Sequence, residues 1–450
     1  MQLPLILIAA QIGLLGYVVV SQVSKKRDRD LITMTTFAGL ILLVDFQALY
    51  VGSELLQFHS EYFLENFITR DGFRLAVFLL FLCTIVIVAS YRIARSIKWR
   101  SRPKPPRILR HTPLAYAVAI VLMSIFTYYL IDLLGGVEET FMRPGRPVAG
   151  QTVWLILLQM GKIPLFYKVA ERKKASIVDY FLFGWTFILT MVNHRAFAAC
   201  DLWQLLVLWN YCRREISRTK FLVGGACALV AVLVAGIVRA REFGYNPEAP
   251  LAVYRLLRGG SREGPFDVLA FFYRWNIEAF TGFAGIITHY VQRGITYDYG
   301  ISYLQLFTHL TPYSVRTGAL SGLDAWLVRQ YEYNGSIVTP GYEGAFGHFG
   351  FVGLLIFSVL LGVVPRWFDH NLRSAYYDRI LYGVLAVDIL YAIIYDLWLM
   401  GLCLLGELFV LYLYRAIALI TAGVVRGYDP DRVPGAGGSP LGEAAKPHCG

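Results

Sequence analysis

The chain has 450 residues, 56% of them hydrophobic and only 16% charged, with a formal net charge of +11. Apolar runs of about 18–22 residues recur along its length, enough to cross a hydrocarbon core of roughly 30 Å; this excludes a soluble domain, and the alternating segments of a β-barrel are missing. The basic excess falls in short loops between the runs, so it reads as membrane topology and not as a nucleic-acid groove.

Eleven spans are expected, near 2–22, 31–52, 73–94, 113–135, 151–169, 175–193, 196–211, 221–240, 345–366, 380–397 and 401–421. The first run follows Met1 without a basic n-region or an Ala-x-Ala site, so it reads as a retained helix. The seventh is short and contains Asp201, the pattern of a re-entrant or broken segment. Loops 23–30, 92–112, 168–174, 212–220 and 366–379, with the tail from 422, carry 26 Lys and Arg residues. The short loops at the opposite ends (53–74, 136–150 and 194–195) carry 5. The positive-inside rule then puts the N-terminus and residues 241–340 outside and the C-terminus in the cytoplasm.

The expected organisation is an all-α polytopic membrane protein. Spans 1–8 occupy residues 1–240, a large, partly helical outer loop 241–344, and spans 9–11 residues 345–421. A Pro/Gly-rich tail over 422–450 is expected to be disordered. The six cysteines are scattered with no C-x-x-C, and no His/Cys cluster or G-x-x-x-x-G-K-[ST] occurs. Neither a metal, nor a disulfide framework, nor a nucleotide is indicated, and no cofactor is expected.

The outer loop is where recognition or chemistry is expected. It is rich in arginine and the chain has no lysine between Lys220 and the tail. Guanidinium forks match phosphate and carboxylate oxygens and stay charged when partly buried. Arg195 sits in the very short turn Asn193-His194-Arg195, and Arg239 and Arg241 stand where the eighth span emerges. With Arg274 and Arg316 they are the candidate diphosphate ligands; contact with lipid headgroups is the plainer reading of any one of them. Residues 266–291 carry apolar side chains at helical spacing, which predicts an amphipathic helix on the membrane or over a cavity.

Candidate proton acceptors are His289, His309, Asp324, Glu332, Glu343 and His348. Glu343 and His348 are roughly 140° apart around a helix, so they do not share a face. Glycines at 341, 344, 347, 350 and 353 recur every third residue, a stripe suited to close helix packing. Intramembrane Asp45, Asp179, Asp201, Asp388, Asp396, Glu407 and Lys162 are costly in lipid and are expected inside the bundle or at its interfaces. Such residues also suit ion-coupled transport. No internal repeat of the transporter kind is visible, and the single large loop favours an enzyme.

Over residues 175–420 the layout resembles the Wzy-type oligosaccharide repeat-unit polymerases, including the enterobacterial common antigen branch. The shared features are the lone Arg195 in its short turn, the exit Arg241-Glu242-Phe243-Gly244, and one large loop. That loop ends in Thr339-Pro340-Gly341, with Phe349-Gly350-x-x-Gly353 following. The related O-antigen ligases carry a His where this chain has Thr339, which argues against a ligase. Many polymerases show Gly-Glu where this chain reads Glu343-Gly344, and often Asn where it has His348.

The resemblance implies a metal-independent glycosyltransferase of the GT-C type in the bacterial inner membrane. It would join undecaprenyl-diphosphate-linked repeat units at the periplasmic face. Arginines would bind the diphosphate, and Glu343, His348 or His309 would take the acceptor proton. Implied partners are the lipid-linked substrates, membrane lipids, and a chain-length regulator and flippase of the same pathway, with no nucleic acid.

Overall fold

The computed structural model of the chain describes residues 2–24, parts of 38–52, 62–63, 68–97, 112–137, 140, 151–193, 195–213, isolated positions from 217 to 223, 279–294, 341–373, 379–391 and 397–427. The described chain is all-α apart from one antiparallel pairing of Tyr62–Phe63 with Ile68–Thr69. In chain order the helices are α1 (Gln2–Ser24), α2 (Arg70–Ser96), α3 (Pro113–Leu133), α4 (Gln151–Leu158) and α5 (Ile163–Ala170). There follow α6 (Ile177–Asn193), α7 (Arg195–Leu208), α8 (Ala279–Arg293), α9 (Gly341–Arg373), α10 (Arg379–Tyr391) and α11 (Leu397–Gly427). Among the described residues, six helical stretches are long and apolar enough to cross a membrane, and Ile177–Val192 is a shorter apolar helix. Of the expected span over 31–52 the described positions, from 38 onward, are helical; the span over 221–240 lies largely outside the described residues, as does the tail from 428.

Burial is inverted relative to a soluble protein. On α9, Val352, Leu355, Ile356, Val359 and Leu360 face outward at i, i+3, i+4 spacing, while Ser358 is fully buried. Such a helix puts its apolar stripe to lipid and its polar atoms inward, where partners satisfy them. Helix starts follow capping chemistry. Thr69 Oγ1 accepts the Gly72 N–H at 3.1 Å and Thr112 Oγ1 accepts the Ala115 N–H at 3.1 Å, with Pro113 opening α3. Before α6, Ser176 and Asp179 form a reciprocal box: the Ser176 N–H donates to Asp179 Oδ2 at 2.7 Å, and the Asp179 N–H to Ser176 Oγ at 3.3 Å. Asp179 is thus an inward-facing cap, further held by the Tyr116 hydroxyl at 2.6 Å.

Two cores result. One joins α1, residues 38–52, α2, α8 and the first part of α9; the other joins α3–α7, the end of α9, α10 and α11. Helix α9 runs between them, packing along α2 and then against α10. At one end of the bundle the basic connections gather: the Arg172 side chain donates to the Cys212 carbonyl, and Arg379 stands beside the Cys212 thiol. Thr112 and Thr421 meet there as well, their hydroxyls 3.0 Å apart.

Candidate functional site

Helix α9 is two helices. Gly350 has φ 62° and ψ −146°, a conformation open essentially to glycine alone. In a continuous helix Tyr342 and Phe357 stand about 22 Å apart along the axis, yet their ring centroids are 5.5 Å apart. Phe346 likewise meets Phe351 at 5.2 Å. Residues 341–349 therefore double back along the segment that follows. Gly353 permits this, because a Cβ there would lie 2.1 Å from the Ala345 carbonyl oxygen. Of the glycine stripe, Gly353 serves close packing, and the backbone brought close is the chain's own folded-back arm at Ala345.

This hairpin carries Glu343 and His348 into the bundle. Every residue from Gly341 to His348 is buried, with Glu343 at 0% and His348 at 2% exposure. Tyr342 packs against Phe283 of α8 and lies within electrostatic reach of Asp45 and Cys83. Cys83 is near the middle of α2 and neighbours Ser358, so the start of the hairpin lies as deep as the middle of that span. Thr288 seals α8 against the capped start of α2, its Oγ1 accepting the Thr69 N–H at 3.2 Å. Gly72 makes room, since a Cβ there would fall 2.7 Å from the Thr288 Cα. Of the helix expected over 266–291, residues 266–278 lie outside the described residues; the described part is helical, buried on all faces from Gly282 to His289 and exposed at Val291 and Gln292. Apolar periodicity marks the face that packs first, and cannot show that the polar face is covered too.

Of the expected site residues, Glu343 and His348 both lie buried on the first arm of the hairpin, and His289 is buried on α8, whose Tyr290 packs against Phe346. Arg195 is the first residue of α7. Arg239, Arg241, Arg274, Arg316 and His309 lie outside the described residues, as do Asp324, Glu332 and Asp396.

A second polar centre lies in the other core. Lys162 Nζ donates to Asp201 Oδ1, Gln204 Oε1 and Glu407 Oε1, each at 2.7 Å. Gln204 Nε2 donates to Glu407 Oε2 at 2.8 Å and to Asp388 Oδ1 at 3.1 Å. Lys162, Asp201 and Gln204 are 0% exposed, and Asp388 and Glu407 2%. Local sequence builds this geometry. Pro164 has no N–H to donate back to Met160, so the span tightens into a 3₁₀ turn over Gln159–Lys162, and Ile163 N–H bonds Met160 O instead. In that turn residues i and i+3 eclipse, which points Gln159 and Lys162 the same way. Glycines beside the charged residues let the helices close: a Cβ on Gly161 would meet Thr186 Oγ1 at 2.4 Å, and one on Gly406 would meet Ile156 at 2.4 Å.

Among the described residues the intramembrane charges, Asp45, Lys162, Asp179, Asp201, Asp388 and Glu407, are inward, as expected from their cost in lipid. Gln204, which ties Glu407 to Asp388, and Gln159 beside Asp201 are visible in the sequence only as polar residues inside apolar runs. Among the described residues no group of His, Cys, Asp and Glu is arranged to hold a metal ion. A groove of about 410 Å³ between α3 and α6, lined by Thr127, Ile131, Phe181, Trp185 and Ile188 among others, is almost wholly apolar and contains neither polar centre. Neither protein-family models, nor curated proteins, nor solved structures match the chain, so the functional reading rests on these residues.

Proposed function

We propose that the protein is a membrane glycosyltransferase that polymerises undecaprenyl-diphosphate-linked oligosaccharide repeat units at the periplasmic face of the inner membrane. The observation that supports this most is the hairpin at Gly350, which takes an acid and an imidazole from the end of the large insert into the bundle interior. The hairpin runs from Tyr342 at mid-depth to its turn at Gly350, so of the two groups His348 lies nearer the surface, where a lipid-linked donor brings its reactive carbon.

In this reading an acceptor hydroxyl oxygen attacks the anomeric carbon of the donor chain. The bond from that carbon to the diphosphate oxygen breaks, the glycosidic C–O bond forms, and undecaprenyl diphosphate leaves with the electron pair. Glu343, His348 or His309 takes the hydroxyl proton. Arg195, Arg239, Arg241, Arg274 and Arg316 supply the positive charge that stabilises the departing diphosphate. The donor carries its own activation, so no nucleotide enters.

A deletion strain tests the reading. Loss of long polymer, with single repeat units still transferred to the final acceptor, supports a polymerase. A second reading, transport of a lipid-linked glycan, is favoured by the Lys162 network, since buried intramembrane charges line substrate and ion paths. Failure of any repeat unit to reach the outer face would select it.

A further inference from the structure

The Lys162 network contains one cation and three carboxyl groups. All three N–H bonds of the Lys162 ammonium are used, on Asp201, Gln204 and Glu407. Asp388 receives none of them. Its Oδ1 takes the Gln204 amide, and among the described residues its buried Oδ2 meets no hydrogen-bond donor. The Gln204 amide has no freedom to turn over, because its oxygen must face the ammonium and its nitrogen the two carboxyls.

Three ionised carboxylates would leave two uncompensated negative charges inside the bundle. Lys162 lies about 12 Å along its span from the nearer end, Ala170, where burial of unpaired charge is most costly. Two protons make the cluster neutral, and Asp388, the carboxyl without a cation, is where the first belongs. Gln159, 0% exposed, adds a second buried amide beside the Asp201 carboxyl. The buried Asp388 Oδ2 that meets no donor calls for a ligand small enough to reach it. The groups that face Asp388 are Asp201 and Gln204 from α7, Lys162 from the 3₁₀ turn and Glu407 from α11.

We propose that this network is a proton-binding site within the membrane, with Asp388 as the proton carrier. The proton sits on Asp388 Oδ2, and the second is shared by Asp201 and Glu407 beside the ammonium. The site is separate from the Glu343 hairpin, and it holds whether the protein polymerises its substrate or moves it.

Infrared spectroscopy of the protein in lipid bilayers at neutral pH tests this directly. The difference between wild type and Asp388→Asn should show loss of one protonated-carboxyl C=O band that shifts in D2O, with the carboxylate bands unchanged. Loss of carboxylate bands instead, with no protonated band, means that Asp388 is ionised and overturns the proposal. Adding sodium or magnesium to the wild type separates the other cation source: conversion of the protonated band to carboxylate would reassign the site to a metal ion. Lys162→Met gives an independent reading, because with the ammonium gone the remaining carboxylate should take up a proton and add one such band; an unchanged spectrum counts against the site. If Asp388→Asn does not accumulate, Asp388→Glu should keep the band at a shifted frequency, and its disappearance would overturn the assignment. The polymerisation assay does not enter this result, so either reading can fail alone.

Discussion

Replacing Gly353 by alanine inserts one methyl group between the two arms of the α9 hairpin. The new Cβ would lie 2.1 Å from the Ala345 oxygen and 3.1 Å from its carbonyl carbon, where ordinary contact begins at 3.4 Å. The 341–349 arm must therefore retreat by about 1.3 Å, the shortfall between 2.1 and 3.4 Å. Overpacking of this kind costs about 1–3 kcal/mol, offset in part by the roughly 1 kcal/mol that alanine gains over glycine in a helix. The net loss of stability should then be at most about 2 kcal/mol, while the arm bearing Glu343 and His348 moves. A misplacement of about 1 Å in a reacting group can lower a rate on the order of 100-fold. The assay compares polymer ladder length and initial rate in bilayers with the thermal midpoint of the purified protein. Gly13→Ala and Gly16→Ala are the controls, since a Cβ at either position meets nothing within 4 Å. Full activity in Gly353→Ala would refute the claim that this hairpin positions the chemistry. Equal loss of activity and stability would reduce the hairpin to scaffold.

Gly350→Ala meets a different obstacle, a backbone conformation costing about 1–3 kcal/mol for a residue with a Cβ; it should lower both the thermal midpoint and the rate. Lys162→Met removes the only cation that Asp201 and Glu407 contact among the described residues, and should destabilise by about 3–5 kcal/mol. Adding Asp201→Asn and Glu407→Gln to it should restore part of that loss, as read by thermal unfolding in detergent. Asp179→Ala deletes the partner of both Ser176 and Tyr116 and should cost about 1–2 kcal/mol without touching activity per folded molecule. Arg195→Ala should abolish long polymer while leaving protein level intact, checked by gel ladder and immunoblot.

Membrane character and helical content were legible because hydropathy and length are local properties. Inward placement of the charged residues was legible for the same reason, since lipid leaves them no other direction. Of the basic loops that the charge count assigns to one side, 168–174, 212–220 and 366–379 meet, at Arg172, Cys212 and Arg379. What the sequence hid is non-local. The reversal at Gly350 depends on a single φ and on Gly353 meeting Ala345, whereas the same glycines in an uninterrupted helix would have given the same pattern. The 3₁₀ turn at Gln159–Lys162 is signalled by Pro164, yet only the folded bundle shows that it aims Lys162 at Asp201, Gln204 and Glu407. The burial of α8 on every side from Gly282 to His289 could not be read from its own periodicity, because the helices that cover it come from distant parts of the chain.

Purified protein in liposomes containing only undecaprenyl-diphosphate-linked repeat units tests the central claim most directly. The account predicts that wild type builds a ladder of lengthening chains and releases undecaprenyl diphosphate, without nucleotide, and that Glu343→Gln with His348→Gln does neither. Movement of intact repeat units across the bilayer with no chain growth would contradict it.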